Sequence, residues 1–121
     1  MEKERLFNII KTKNEDNTIM TDLTINEAHE IFNGHFPGNP VMPGACMLQL
    51  VQDILKRFEL PYRLKKADYL KFMAMVTPGG QNNLQLKLTH KPADGVGIAV
   101  AASLVNNNAV CFKFQGVFVE E

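Results

Sequence analysis

The distribution of hydrophobic and polar positions predicts two extended runs near the start of the chain, over residues 6–13 and 18–25. The polar cluster Asn14-Glu15-Asp16-Asn17 between them is typical of a turn, so we expect a β-hairpin here. We also expect a short helix over residues 26–32, because the side chain of Asn26 can accept hydrogen bonds from the first N–H groups of a helix.

The longest helical pattern covers residues 45–58. Its apolar positions take up most of the helix circumference: Met47, Leu48, Leu50, Val51, Ile54, Leu55 and Phe58. The remaining stripe is polar and consists of Gln49, Gln52, Asp53 and Lys56. Pro43 suits the start of this helix, where its missing N–H costs nothing, and Leu60-Pro61 ends it. A helix with so much apolar surface is expected to be buried, with a sheet wrapped around it.

Strand patterns fill the rest of the chain. Residues 65–76 form one run, residues 84–88 alternate leucine with polar side chains, and residues 96–104 form a third run. Turn sequences follow these runs at residues 77–80, 92–95 and 106–108. The last strand carries three phenylalanines on one face: Phe112, Phe114 and Phe118. The order hairpin, loop, helix and meander of about four strands predicts an α+β fold, one antiparallel sheet around one long central helix.

Composition limits the classes of protein that this chain can belong to. Its 121 residues suit one domain, which we place over residues 1–121. Lysine and arginine total 13, as do aspartate and glutamate, and this balance argues against nucleic-acid binding, which needs a basic face. The balanced charge and the 45% hydrophobic content fit self-association.

The cysteines and the apolar segments indicate where the protein works. Cys46 and Cys111 lie in apolar runs and are predicted to be buried free thiols, which fits the reducing cytoplasm. We expect no signal peptide and no membrane span, because no apolar stretch reaches the required length. Neither a Cys-x-x-Cys pair nor a His/Cys cluster with zinc spacing occurs, so no metal or other cofactor is predicted.

The segment from Gly34 to Gly44 carries the candidate chemistry. Its eleven residues include three prolines and three glycines, so a shaped loop is expected instead of a regular element. Burial in such a loop can keep the His35 imidazole neutral, and a neutral imidazole can act as a general base. The N–H groups of Gly44 and Ala45 open the helix and can hold a carbonyl oxygen as it becomes an enolate. Taken alone, a histidine in such a loop is more often structural than catalytic.

The motif His-Phe-Pro-Gly-x-Pro-x-x-Pro-Gly at residues 35–44 resembles the signature loop of the 3-hydroxyacyl-acyl-carrier-protein dehydratases. That family has the hotdog fold, in which a sheet wraps around a long helix and two protomers pair. Its histidine acts beside a helix carboxylate of the other protomer, and the acyl chain lies in a tunnel between them. The resemblance implies dehydration of 3-hydroxyacyl thioesters to trans-2-enoyl thioesters in fatty-acid or related biosynthesis.

The same resemblance implies the site residues and partners. His35 corresponds to the catalytic histidine, and the expected substrate-binding residues are Phe36, Pro43, Gly44 and Ala45. The expected partners are an acyl carrier protein with its acyl-phosphopantetheine arm and a second protomer. That protomer makes a homodimer or higher oligomer, or a heterodimer with a related hotdog subunit. A small basic group, Arg63, Lys65 and Lys66, could receive the carrier, although a solvated surface is the simpler interpretation.

One position departs from the family pattern. The family carboxylate lies five residues after the final glycine of the loop, where this chain has Gln49. An amide can hydrogen-bond a hydroxyl but cannot protonate it, and the loss of a general acid typically costs about 10²–10⁴-fold in rate. Two interpretations of Gln49 are open: it is a site residue, or it is an ordinary polar residue of a solvated stripe.

Four explanations of Gln49 are open if it belongs to the site. Gln49 orients a hydroxyl or water while His35 makes both proton transfers, or a related subunit supplies the carboxylate. Alternatively, the chain has lost catalysis and holds acyl groups for a carrier protein. In the fourth explanation another carboxylate substitutes, and the candidates are Asp53, Glu27 and Glu30. An auxiliary, non-catalytic subunit and an acyl thioesterase are the rival functions.

Overall fold

Six strands and one α-helix form the part of the chain that the computed structural model describes, which is residues 5–32, 42, 44–77 and 82–120. The elements in chain order are β1 (Phe7–Glu15), β2 (Thr18–Ile25), a 3₁₀ turn (Glu30–Phe32), α1 (Gly44–Arg57), β3 (Arg63–Phe72), β4 (Leu84–Pro92), β5 (Ile98–Asn106) and β6 (Ala109–Val119).

The strands make one antiparallel sheet in the order β1-β2-β4-β5-β6-β3. Both predicted hairpins are present, and each turns on two residues with positive φ, Asp16-Asn17 and Asn107-Asn108. Such turns match the twist of paired strands and favour asparagine and aspartate. The predicted meander of four strands is wrong in one respect. Only β4, β5 and β6 follow one another in the sheet, whereas β3 lies at the far edge beside β6.

The core lies between α1 and the concave face of the sheet. The helix buries one face, Met47, Leu50, Val51, Ile54 and Leu55. Opposite it, β4 buries Leu84, Leu86 and Leu88, and β6 buries the predicted phenylalanines Phe112, Phe114 and Phe118. This packing confirms a sheet around one long helix, because apolar side chains of both elements leave water together.

Two expectations about helices need correction. Over residues 26–32 only Glu30–Phe32 is helical, since the N–H groups of His29 and Phe32 bond to carbonyls three residues back and make turns. Asn26 still caps locally, because its Oδ1 accepts the N–H of Ala28 at 3.1 Å. The second correction concerns α1, which is buried on one face and not all round. Of its polar stripe, Gln49, Asp53 and Lys56 are exposed and Gln52 is half-buried.

The described residues contain no helix that is long and apolar enough to cross a membrane. Both cysteines are free thiols, and Cys111 is buried as predicted, whereas Cys46 is half-buried on α1.

Candidate active site

The structure places three of the predicted site residues on the first half of α1. Gly44 is the first residue of the helix, Ala45 follows it, and Gln49 comes one turn later on the exposed side. His35, Phe36 and Pro43 lie outside the described residues. The helix start therefore provides the N–H groups that the sequence predicts, because those of the first turn have no acceptor within the helix.

Gly44 is in close contact with an aromatic ring. A Cβ added at this position would lie 2.6 Å from Cζ of Phe72, the last residue of β3. The Phe72 ring also stacks on Phe112, with 5.3 Å between the ring centroids. The room beside the Gly44 Cα is therefore taken up by the Phe72 ring. Because Gly44 has no side chain, the start of α1 can pack directly against Phe72 at the end of β3.

A first cavity, which we call the methionine cavity, lies at this helix start and has a volume of about 510 Å³. Its lining is formed by Gly44, Ala45, Phe72 and Ala74 together with four methionines, Met42, Met47, Met73 and Met75. Met42 and Met47 are core residues, while Met73 and Met75 are exposed. Flexible thioether side chains of this kind adapt readily to an apolar ligand.

A second cavity, which we call the Gln49 cavity, lies between α1 and the start of β1 and has a volume of about 600 Å³. The helix contributes Cys46, Gln49, Leu50, Asp53, Ile54, Lys56 and Arg57. The N-terminal segment contributes Arg5, Leu6, Phe7 and Ile9, and His29 completes the lining. Apolar walls with a few convergent polar groups are typical of a small-molecule site.

Gln49 is hydrogen-bonded to the carboxylate one helical turn further on. Its Nε2 donates to Oδ1 of Asp53 at 2.9 Å, and both side chains line the Gln49 cavity. Of the carboxylates considered as substitutes, Asp53 is therefore the one that contacts Gln49. Glu27 and Glu30 are exposed and are not among the described side chains that line this cavity.

The charges around the Gln49 cavity are mostly positive. Among the described lining residues, Arg5, Lys56 and Arg57 are basic and Asp53 is the one carboxylate. Lys56 Nζ lies 5.5 Å from the ring centre of Tyr62. The predicted basic group is elsewhere, on β3, where Lys65 and Lys66 line a different cavity. Lys66 Nζ pairs with Asp68 Oδ1 at 3.4 Å.

Burial raises the pKa of the Cys46 thiol. Desolvation disfavours the thiolate, so Cys46 is a neutral thiol at neutral pH and a poor nucleophile. This argues against covalent thioester cleavage by the cysteine of this cavity. Within the described ranges, no group of three or more His, Cys, Asp or Glu side chains is placed to hold a metal ion.

Sequence reasoning missed part of this site. Arg5 gives no local signal, because only tertiary packing brings the start of β1 beside α1. His29 is half-buried and lines the Gln49 cavity, although its local sequence does not mark it as a site residue. Lys56 could have been found, since it continues the helical stripe of Gln49 and Asp53.

Comparisons with solved structures identify the fold. The dehydratase heterocomplex ApeI:P from Xenorhabdus doucetiae superposes with a TM-score of 0.77 at 17% identity, covering 93% of this chain and 97% of that chain. The PaaI protein of the E. coli phenylacetic acid degradation operon gives a TM-score of 0.61 at 13% identity, covering 91% and 75%. The predicted hotdog fold is thereby confirmed.

Sequence comparisons identify the family. A family model described as ApeI-like, ApeI dehydratase, matches residues 11–115, and the chain therefore belongs to the ApeI-like dehydratase family. The 3-hydroxyacyl-acyl-carrier-protein dehydratase FabZ of Lactococcus lactis is 38% identical over 110 residues, which are 84% of this chain and 66% of the relative. FabZ of Oenococcus oeni is 39% identical over 99 residues, 74% of this chain and 68% of the relative. The chain thus spans about two thirds of these relatives. The predicted resemblance to the 3-hydroxyacyl-acyl-carrier-protein dehydratases is thereby confirmed at the level of the family.

The contact between Gly44 and Phe72 can be tested by a double-mutant cycle. Gly44→Ala should lower the free energy of unfolding by about 1–3 kcal/mol, because the new methyl group meets the Phe72 ring. In a Phe72→Ala background the same change should be neutral or stabilising, since alanine favours a helix over glycine by about 0.5–1 kcal/mol. Urea unfolding at one protein concentration measures both values. If Gly44→Ala lowered the free energy of unfolding equally in both backgrounds, the contact would be contradicted.

Proposed function

We propose that this chain dehydrates 3-hydroxyacyl thioesters carried by an acyl carrier protein, with His35 making both proton transfers and Gln49 holding the 3-hydroxyl. The observation that carries the proposal is the position of Gln49. Its amide lines a cavity of about 600 Å³ on the helix that the His35 loop enters. The apolar walls formed by Leu6, Phe7 and Ile9 suit an acyl chain.

The reaction can be written with these groups, with His35 of one protomer acting beside Gln49 of the other, as the family resemblance implies. The first N–H groups of α1, at Gly44 and Ala45, hold the thioester carbonyl oxygen and stabilise negative charge on it. The neutral imidazole of His35 takes a proton from C2, and the electron pair forms the C2=C3 double bond as the C3–O bond breaks. The imidazolium then returns the same proton to the departing hydroxyl, which leaves as water. No second acid is required, but the rate depends on how well the hydroxyl is held.

The role of Gln49 can be measured in the reverse reaction, hydration of an enoyl thioester. Wild type should be active by itself. Gln49→Glu should be faster by about 10²-fold, because a carboxylate at this position takes a proton from the attacking water, the reverse of its general acid role in dehydration. Gln52→Glu, which introduces the same charge on the same helix, should not be faster than wild type.

Other outcomes of this assay favour the rival functions. Activity of Gln49→Glu alone, with inactive wild type, would mean that the chain needs a subunit that supplies a carboxylate. Release of free thiol from a saturated acyl thioester by wild type would instead support a thioesterase.

A second protomer is proposed to pair with β3. This strand is an edge of the sheet, with β6 on one side and no other described strand on the other. Tyr69, Leu70 and Phe72 on it are large and exposed, as are Met73 and Met75 directly after it. An apolar strand edge is a template for pairing with another chain. We propose a second copy of this chain as the occupant, and the ApeI:P heterocomplex makes a related subunit the alternative.

Pairing through β3 can be tested by placing an aspartate on each of the two edge strands of the sheet. Leu70→Asp on β3 should convert the dimer to monomer, because it buries an unpaired carboxylate in the interface. Ile10→Asp on β1, at the opposite edge, is the control and should leave the mass unchanged. Light scattering after size-exclusion chromatography measures both. A monomeric wild type would contradict pairing between copies, whereas dimers formed only with a co-expressed homologue would favour the heterodimer.

The positive rim of the Gln49 cavity is proposed to dock the acyl carrier protein. The phosphopantetheine arm bears a phosphate, and Arg5, Lys56 and Arg57 surround the cavity that would receive its acyl group. Attraction between exposed charges mainly affects association and is weakened by salt.

Docking at this rim predicts a selective effect on KM. Lys56→Gln/Arg57→Gln should raise KM for the carrier-bound substrate by about three- to tenfold at low salt, and less at high salt. KM for the thioester of N-acetylcysteamine, which has no phosphate or carrier, should not change. Lys65→Gln/Lys66→Gln is the matched control on β3. A larger effect of the control pair would place carrier docking on β3 instead.

A further inference from the structure

We infer that Asp53 is a positioning residue that fixes the Gln49 amide and thereby makes the site selective for 3-hydroxyacyl over saturated acyl thioesters. This inference rests on the proposed function, because it assigns a task to a neighbour of the proposed site residue. The observation behind it is the hydrogen bond from Gln49 Nε2 to Asp53 Oδ1, 2.9 Å long, inside the Gln49 cavity.

The chemistry of the pair determines which way the amide faces. A carboxylate has acceptors only, while an amide has a donor end and an acceptor end. The end of Gln49 that meets Asp53 must therefore be Nε2, and turning the amide over would set Oε1 against a negatively charged oxygen. Both side chains are exposed and four residues apart on the helix, so Asp53 favours this orientation by a modest factor, about twofold.

The fixed amide leaves its carbonyl oxygen for a ligand. Within the described ranges, Asp53 is the hydrogen-bond partner of the Gln49 side chain, and Oε1 is engaged by none of the described residues. An acceptor in this position can take the proton of a 3-hydroxyl and orient its oxygen lone pairs away from Gln49. A saturated acyl chain has no hydroxyl to offer, and it would leave that acceptor without a partner.

Two other observations distinguish positioning of the Gln49 amide by Asp53 from a general effect of the negative charge of Asp53. Asp53 lies one turn, about 5.4 Å, beyond Gln49 along the helix, so it acts through the amide instead of replacing it. Gln52 provides a comparison on the same helix. Its Nε2 donates to the carbonyl oxygen of Tyr62 at 3.2 Å, and its side chain is not part of the described lining of the Gln49 cavity.

The experiment measures binding, with turnover prevented by His35→Ala in every variant. Calorimetry gives Kd for the pantetheine thioesters of octanoate and 3-hydroxyoctanoate, and the ratio of the two constants reports recognition of the hydroxyl. Asp53→Asn should lower this ratio about twofold, since an asparagine can donate to or accept from the Gln49 amide and no longer favours one of its orientations. Gln49→Ala should lower it similarly, and adding Asp53→Asn to Gln49→Ala should cause no further loss.

The controls distinguish positioning from a structural role. If Asp53 only supported the helix, both Kd values would change by the same factor and the ratio would stay constant. Gln52→Ala should leave the ratio unchanged. Equal binding of both thioesters before any change at Asp53, or an unaltered ratio in Asp53→Asn, would overturn the inference.

Turnover by the chain with His35 intact tests the proposed function separately. Dehydration by wild type with an unaltered ratio in Asp53→Asn would refute the inference and keep the function. Selectivity that depends on Asp53, in a chain that never dehydrates, would keep the inference and refute the function.

Discussion

The burial of one face of α1 against the concave sheet is the constraint on which the rest of the structure depends. Val51 and Leu55 are fully buried, and they hold the helix where the leucines of β4 and the phenylalanines of β6 can cover it. Burial of such a side chain contributes about 1.5–3 kcal/mol relative to leaving it in water. Because the helix repeats every 3.6 residues, fixing this face also fixes the direction of the opposite stripe. Gln49 and Asp53 consequently reach the same cavity.

The sequence predicts most of the elements because their signals are local. Alternation in β4 and the asparagine turns between strands depend on neighbours in the chain, and both are found where expected. The place of β3 could not be predicted in this way. Its partner β6 begins far along the chain, and pairing Phe72 with Phe112 is a tertiary event that no local pattern reports. The same holds for residues 26–32, where turns replace most of the expected helix.

The same distinction between local sequence signals and tertiary packing applies to the candidate site. The spacing from the loop to Gln49, and from Gln49 to Asp53, can be read from the sequence because both intervals lie on one helix. The direction of their hydrogen bond and the approach of Arg5 require coordinates. Gly44 illustrates the difference well. Its glycine suggests room for a ligand, but the ring of Phe72 is the group that needs the space.

Compared with a carboxylate, the amide at position 49 offers the substrate a different group. The cavity still contains a negative charge, that of Asp53. The carboxylate of Asp53 accepts a hydrogen bond from the Gln49 amide, so its negative charge remains next to the amide in the cavity. In a site with a carboxyl group at position 49, the same side chain would hold the hydroxyl and protonate it. In the proposed reaction the Gln49 amide only holds the hydroxyl, so the proton taken from C2 returns through His35. A single group that carries one proton from C2 to the hydroxyl oxygen on C3 can do so only if the hydroxyl stays oriented throughout the transfer. Fixing the orientation of Gln49 is therefore more important in this chain than it would be where a second acid is present.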